Sequence, residues 1–279
     1  MAQTGTPVFG STDPAKYNAV NGCHKGAGTV RIQRLLSHDV FDTNLFAVNR
    51  VELPPKSGIG EHRHYNREEM FIVLNGPAQF TIDGRTAELP AGATVLSPEG
   101  SSHGIYNHTD MVLQWLHFAV TREKGTAESL DFGEDLSNKQ IISPVPFAWT
   151  GLDPRLLKLA GNAHKGKGNI LFRRLWNKES FKTNWEFLDH CILPPETSIG
   201  YHQHNMIEEV YCLVSGHGRM TVNDHTWEVG PGDAIPCTLH DSHGLYNSGT
   251  EDIFLVVCSC AVEKGARNTN NWGDDLSDR

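Results

Sequence analysis

Apolar residues along this chain fall in short runs that alternate with polar ones, and turn formers break them every few residues. In the first half the runs cover residues 46–53, 70–74, 78–82, 86–89, 93–97 and 111–120. The breakers between them include Pro54-Pro55, Asn75-Gly76, Asp83-Gly84, Pro90-Ala91-Gly92 and Pro98-Glu99-Gly100. A period of two bounded by turn residues predicts strands. Asp83-Gly84 between two such runs predicts a tight hairpin. The second half repeats the scheme, with breaks at Ser215-Gly216, Asn223-Asp224 and Gly230-Pro231-Gly232. Helix is confined to short turns within 14–21 and 153–160. Many short strands with closely spaced turns imply an all-β sandwich or barrel.

The pattern occurs twice. Shifted by 140, the chain matches itself without a gap: Asp13-Pro14 falls on Asp153-Pro154, His24-Lys25-Gly26 on His164-Lys165-Gly166, and Leu53-Pro54-Pro55 on Leu193-Pro194-Pro195. Gly133, Asp135, Leu136 and Ser137 likewise fall on Gly273, Asp275, Leu276 and Ser277. Two domain-sized copies mean two domains, 1–140 and 141–279, and not a solenoid.

Composition narrows the function. The net charge is −9 and the cationic residues form no stripe, so no nucleic-acid groove is expected. No apolar run reaches the length of a membrane span. The polar N-terminal segment carries no basic start and no apolar stretch, so no secretory signal is expected and the chain reads as cytoplasmic. The six cysteines do not fall at matching positions in the two halves. They read as reduced, buried thiols rather than a disulfide framework, and Cys258 and Cys260 as core residues of a strand rather than a metal pair.

The chemistry lies in one repeated constellation. Gly60-Glu61-His62-Arg63-His64 is followed by Glu68-Glu69 and, farther on, His103; Gly200-Tyr201-His202-Gln203-His204 is followed by Glu208-Glu209 and His243. On a strand, residues i and i+2 face one side about 7 Å apart, so His-x-His aims two imidazoles at one point. A glutamate five residues on can close from the neighbouring strand. By alternation Glu69 and Glu209 are the ligands, and Glu68 and Glu208 point away. Three imidazoles and a carboxylate suit a divalent transition metal (Fe, Mn, Zn, Ni, Co or Cu), with positions left open for substrate. One His-x-His-x4-Glu would be weak evidence; two at a single offset, each with its distal histidine, are not chance.

These residues resemble the cupin signature. The first motif of that family, Gly-x5-His-x-His-x(3,4)-Glu-x6-Gly, is met by His62, His64, Glu69 and Gly76 and by His202, His204, Glu209 and Gly216, with the opening glycine displaced in both. The second, Gly-x5-Pro-x-Gly-x2-His-x3-Asn, is met by Gly92, Pro98, Gly100, His103 and Asn107. The second half keeps Gly232, His243 and Asn247 but has Thr238 and His240 in place of the Pro and Gly, which is expected to reshape the turn before His243. The resemblance spans roughly 40–120 and 180–260. It implies a bicupin: two tandem double-stranded β-helix jelly rolls with a metal in each.

Alternation also suggests what faces each cavity: Phe71, Ile105 and Asn107 in the first, Leu245 and Asn247 in the second. Tyr211, two residues beyond Glu209, is a candidate general acid or base. The doubled His-Lys-Gly-x-Gly element (His24 to Gly28, His164 to Gly168) reads as a glycine turn feeding a strand, or as a cover over the barrel mouth offering a cation. The expected function is a metal-dependent enzyme acting on a small polar metabolite, a hydroxy acid, keto acid or sugar derivative. Oxygenase chemistry leads, with metal-assisted lyase, decarboxylase or isomerase chemistry next. A non-catalytic, metal-dependent sugar- or carboxylate-binding protein is the alternative, because fold does not choose among these. Two barrels in one chain make a monomer or a homodimer equally compatible.

Overall fold

Each apolar run of the first half forms a strand: Leu45–Leu53, Arg67–Val73, Ala78–Ile82, Arg85–Leu89, Ala93–Ser97 and Leu113–Thr121. The computed structural model describes residues 13–279; residues 1–12, most of the stretch inspected for a secretory signal, lie outside that description. The expected helical turns shrink to three residues each, Pro14–Lys16 and Pro154–Leu156, and the rest of each segment becomes the strands Asn18–Asn21 and Lys158–Gly161. No helix is long and apolar enough to cross a membrane among the described residues.

Two compact units are present. One comprises residues 13–37 and 46–152, and the other residues 38–45 and 153–279. In the first, a seven-stranded sheet runs Asn18–Asn21, Thr29–Ser37, Leu45–Leu53, Leu113–Thr121, Arg67–Val73, Ala93–Ser97 and Trp149–Gly151. A five-stranded sheet faces it, in the order Leu130–Asp131, Gly58–Arg63, Ser102–Tyr106, Ala78–Ile82 and Arg85–Leu89. The second unit repeats this with six and five strands. This is the jelly-roll pair expected of two tandem barrels. Inward residues such as Val51, Phe80, Leu89, Val95 and Trp115 form the first core, and Ile170, Phe187, Met220, Leu245 and Leu255 the second. Burying side chains of this size stabilises each by about 1.5–3 kcal/mol.

Local chemistry agrees with the turns. Asp83 (φ 48°) and Gly84 (φ 71°) both sit left-handed, as a two-residue hairpin of the mirror-image type requires. The turn before His243 is not reshaped. His240 adopts φ 69° where Gly100 has φ 87°, and the same backbone bonds form: Gly100 N–H donates to His64 O and His240 N–H to His204 O, both at 2.9 Å. Asp241 further ties the turn by accepting from Thr238 Oγ1 at 2.6 Å. The left-handed conformation of a non-glycine residue costs about 1–2 kcal/mol, which these bonds offset.

All six cysteines are free thiols, five of them buried. Cys258 and Cys260 are fully buried in the strand Ile253–Ala261, and burial pushes the Cys260 thiol up to about 12. Such thiols are inert core groups.

Candidate metal centres and their cavities

The two sheets of each barrel supply different ligands. His62 and His64 lie on or just beyond Gly58–Arg63, and His103 is directly opposite His62 on the adjacent strand Ser102–Tyr106. Glu69 comes from the facing sheet, on Arg67–Val73. In the second barrel His202 lies opposite His243, and Glu209 faces them from Ile207–Ser215. In each group the four ligand atoms lie within 4.8 Å of one another and all four residues are buried.

What aims them is the other ring nitrogen. His62 Nδ1 donates to Gly60 O at 2.8 Å, His64 Nδ1 to Glu128 O at 2.8 Å, and His103 Nδ1 is bonded to Ser97 Oγ at 2.9 Å. In the second barrel His202 Nδ1 donates to Gly200 O at 2.8 Å, His204 Nδ1 to Asn268 O at 2.7 Å, and His243 Nδ1 to Asp241 O at 3.3 Å. With Nδ1 engaged outward, each Nε2 is turned inward toward the glutamate, the nitrogen that a metal would take. His202 Nε2 and His204 Nε2 are buried without any hydrogen-bond partner. Orphaned buried acceptors are costly, and a cation at the convergence point satisfies both. The donor set therefore fits a divalent metal in each barrel.

Electrostatics favours the same state. Burial, with His103 and His24 alongside, drives His62 far below the usual histidine range, and burial brings His64 down to about 4. Burial alone would raise Glu69, but Arg67 and the histidines hold it well below the usual carboxylate range, and His243 and its neighbours do the same for Glu209. Neutral imidazoles beside an ionised carboxylate are what metal binding needs.

The supports of the two glutamates differ. Glu69 Oε1 is paired with Arg67 Nε at 3.0 Å and His117 Nε2 at 3.2 Å, so Oε2 turns to His103 at 2.8 Å. Glu209 instead has Tyr211 beside it, two residues along the same strand. Burial and this carboxylate push Tyr211 well up, so the phenol keeps its proton. Glu208 points away as alternation requires, accepting from Asp42 N at 2.9 Å and Thr43 N at 2.8 Å.

The pocket residues divide. Phe71 and Ile105 line the first cavity, and Tyr211 lines the second. Leu245 is wholly buried in the second core and does not line that cavity. Asn107 and Asn247 do not face the cavities either. Asn107 Nδ2 donates to Leu53 O and Met111 O, and Asn247 Nδ2 to Leu193 O and Glu251 O. These fully buried amides latch a turn, and a committed amide has nothing left for substrate.

Other contributors escaped the strand pattern. The His-Lys-Gly-x-Gly element is more than a turn: His24 stacks on His62, and His164 on His202 with ring centroids 3.7 Å apart. Asp131 holds His24 Nδ1 at 2.6 Å, and Asn271 holds His164 Nδ1 at 2.9 Å. The repetition at offset 140 was the available signal. Arg34, Asn49, Arg67 and His117 line the first cavity, and Arg174, Asp189 and Arg267 the second. They sit far apart in sequence, Arg267 in the loop before Asn270–Asn271 and the others on separate strands, so no local pattern joins them.

A cupin-domain family profile matches residues 49–119 and 189–259, the two halves of the repeat. The chain is a bicupin. Over 112 residues the bicupin is 29% identical to an oxalate-binding protein of Thermotoga maritima, covering 40% of this chain and 93% of that one. Over 69 residues it is 33% identical to a mannose-1-phosphate guanylyltransferase of Salmonella montevideo, covering 25% of this chain and 15% of that one. Among solved structures it is similar to a mutant of oxalate decarboxylase from Bacillus subtilis, with a TM-score of 0.66 and 16% identity over 98% of this chain and 81% of that one. It is also similar to a mutant of salicylate 1,2-dioxygenase from Pseudoaminobacter salicylatoxidans, with a TM-score of 0.66 and 15% identity over 88% of this chain and 82% of that one. At such identities the likeness concerns the fold.

Proposed function

We propose that this bicupin is a metal-dependent enzyme acting on a small, oxygen-rich metabolite, a carboxylate such as a hydroxy or keto acid ahead of a sugar derivative. His62, His64, Glu69 and His103 would hold one divalent transition metal, and His202, His204, Glu209 and His243 a second. The observation that carries this reading is the set of six imidazoles whose Nδ1 atoms are all engaged outward, beside two ionised glutamates. A bound divalent ion would supply Lewis acidity toward substrate oxygens or, if redox-active, chemistry with dioxygen.

The chain's own residues have separable tasks. In the second cavity the Tyr211 phenol, still protonated beside Glu209, is placed to donate a proton. In the first, Phe71 and Ile105 exclude water while Arg34 and Arg67 offer positive charge. The carboxylate preference draws support from relatives and fold neighbours whose names carry oxalate and salicylate. Oxygenase chemistry leads, with decarboxylase, lyase or isomerase chemistry beside it. The Thermotoga relative, named for binding oxalate, favours a second reading: metal-dependent binding without turnover.

Metal content of protein purified anaerobically without chelators tests the central claim, together with His62→Ala and His202→Ala. Two equivalents falling to one in each variant are expected. No metal in the wild type, and none taken up on titration, would overturn it. Screening the loaded protein against metabolite pools with and without oxygen separates oxygenase from non-oxidative chemistry, and silence in both favours the binding reading.

A further inference from the structure

The two cavities are built to one plan but differ in charge at homologous positions: Asn49 stands against Asp189, Arg67 against Ile207 and Ala127 against Arg267. Arg34 and Arg174 are equivalent in the repeat, as are Asn49 and Asp189. In the second cavity Asp189 takes Arg174 in a two-pronged pair, Oδ1 to Nε and Oδ2 to the terminal nitrogen, both at 2.9 Å. Arg174 also lies 4.2 Å from the Phe187 ring centroid. Bidentate pairing of this kind fully occupies a guanidinium's fork.

In the first cavity the arginine is kept and its carboxylate is gone. Among the described residues Arg34 has no anionic partner and rests on the Phe46 ring at 6.0 Å, with Arg67 on the same ring at 5.2 Å. Arg67 spends its charge on Glu69. Arg34 is solvent-exposed on its strand and also lines the cavity, so its guanidinium is open to an incoming anion. Asn49, 6% exposed, is a neutral amide where the second cavity has a carboxylate, and its Nδ2 is bonded to His117 Nδ1 at 2.9 Å, so it neither neutralises nor pairs with Arg34. Around the first cavity two arginines face one carboxylate, and around the second two arginines (Arg174 and Arg267) face two.

We propose that the first cavity holds a carboxylate group of a dianionic substrate against Arg34, which the neutral Asn49 leaves uncompensated, and that in the second cavity the Asp189 carboxylate occupies the corresponding place and excludes such a ligand. The inference rests on the carboxylate reading above and assigns it to one barrel. It makes the duplicated barrels unequal: the first selects a dicarboxylate, and the second takes a ligand carrying less negative charge. Arg34 is the specificity-determining residue of the first, and Asp189 is a built-in anion in the second.

Calorimetric titration of the metal-loaded chain with malonate, beside acetate as a monoanion, tests this without requiring turnover. One malonate per chain is expected. Arg34→Ala or Asn49→Asp should weaken it at least tenfold, with two metals still bound. Asp189→Asn should add a second malonate site, and acetate should show a much smaller response to all three changes. Two equivalent malonate sites in the wild type, or unaltered affinity in Asn49→Asp and Arg34→Ala, would overturn the assignment. If those negative results accompany turnover of some carboxylate, the assignment fails and the enzymatic reading stands. If the malonate pattern holds and nothing is turned over, the cavity assignment stands and the protein is a binder. A loaded protein that binds no carboxylate overturns both.

Discussion

His24 lies flat on His62, their ring centroids 3.6 Å apart and their planes within 2°. The stack exists because the chain enters it through left-handed residues, His24 at φ 49° and Lys25 at φ 62°, and because Gly26 and Gly60 let two backbones touch. His62 is thus fixed twice, by Gly60 O on its edge and by a second imidazole on its face.

His24→Ala should therefore weaken metal binding at the first site by about 10–100-fold, the usual effect of losing a residue that orients a ligand. The second site should be unaffected, and His164→Ala should give the mirror result. Competition with a chromophoric chelator measures both. Equal affinity in wild type and His24→Ala would reduce the stack to packing.

Gly60 separates close approach from backbone freedom. A Cβ there would stand 2.0 Å from His24 O and 2.8 Å from Gly26 N, both main-chain atoms that cannot step aside. Gly60→Ala should cost about 1–3 kcal/mol or more in chemical denaturation. Gly84→Ala meets nothing within 4 Å and bears only the left-handed cost of ~1–2 kcal/mol. An unperturbed Gly60→Ala would disprove the close approach.

Asp189 gives a pH signature. Burial pushes its carboxyl up to about 6 against the two bonds from Arg174, with Glu209 adding to the rise. A carboxyl that holds its proton more tightly folded than unfolded favours the fold at low pH, and that contribution is lost as pH rises through about 6. The stability of the wild type relative to Asp189→Asn should fall by up to ~3 kcal/mol between about pH 4 and pH 6.5. Paired urea titrations across that range measure the difference, and a flat or rising trend contradicts it.

Tyr211→Phe removes one hydroxyl at nearly constant volume. In a His62→Ala background, where only the second group of ligands is intact, any turnover that remains should drop about 10²–10⁴-fold with metal content constant. Unchanged turnover would leave Tyr211 as a packed aromatic.

The sequence by itself determined the duplication, the strands and the eight converging ligands. A period of two and a fixed offset are local, additive signals: alternation decides which face a residue takes, and His-x-His needs only one strand to aim. It also separated Glu209 from Glu208 by parity and by the spacing to Gly216. Only the tertiary structure decided that His24 stacks on His62, that Asn107 and Asn247 serve turns rather than substrate, and that Arg34 is left without the partner Asp189 gives Arg174. Those outcomes depend on which strands become neighbours and on which polar groups burial leaves unpaired. Such pairings join residues far apart in the chain, so no periodicity records them.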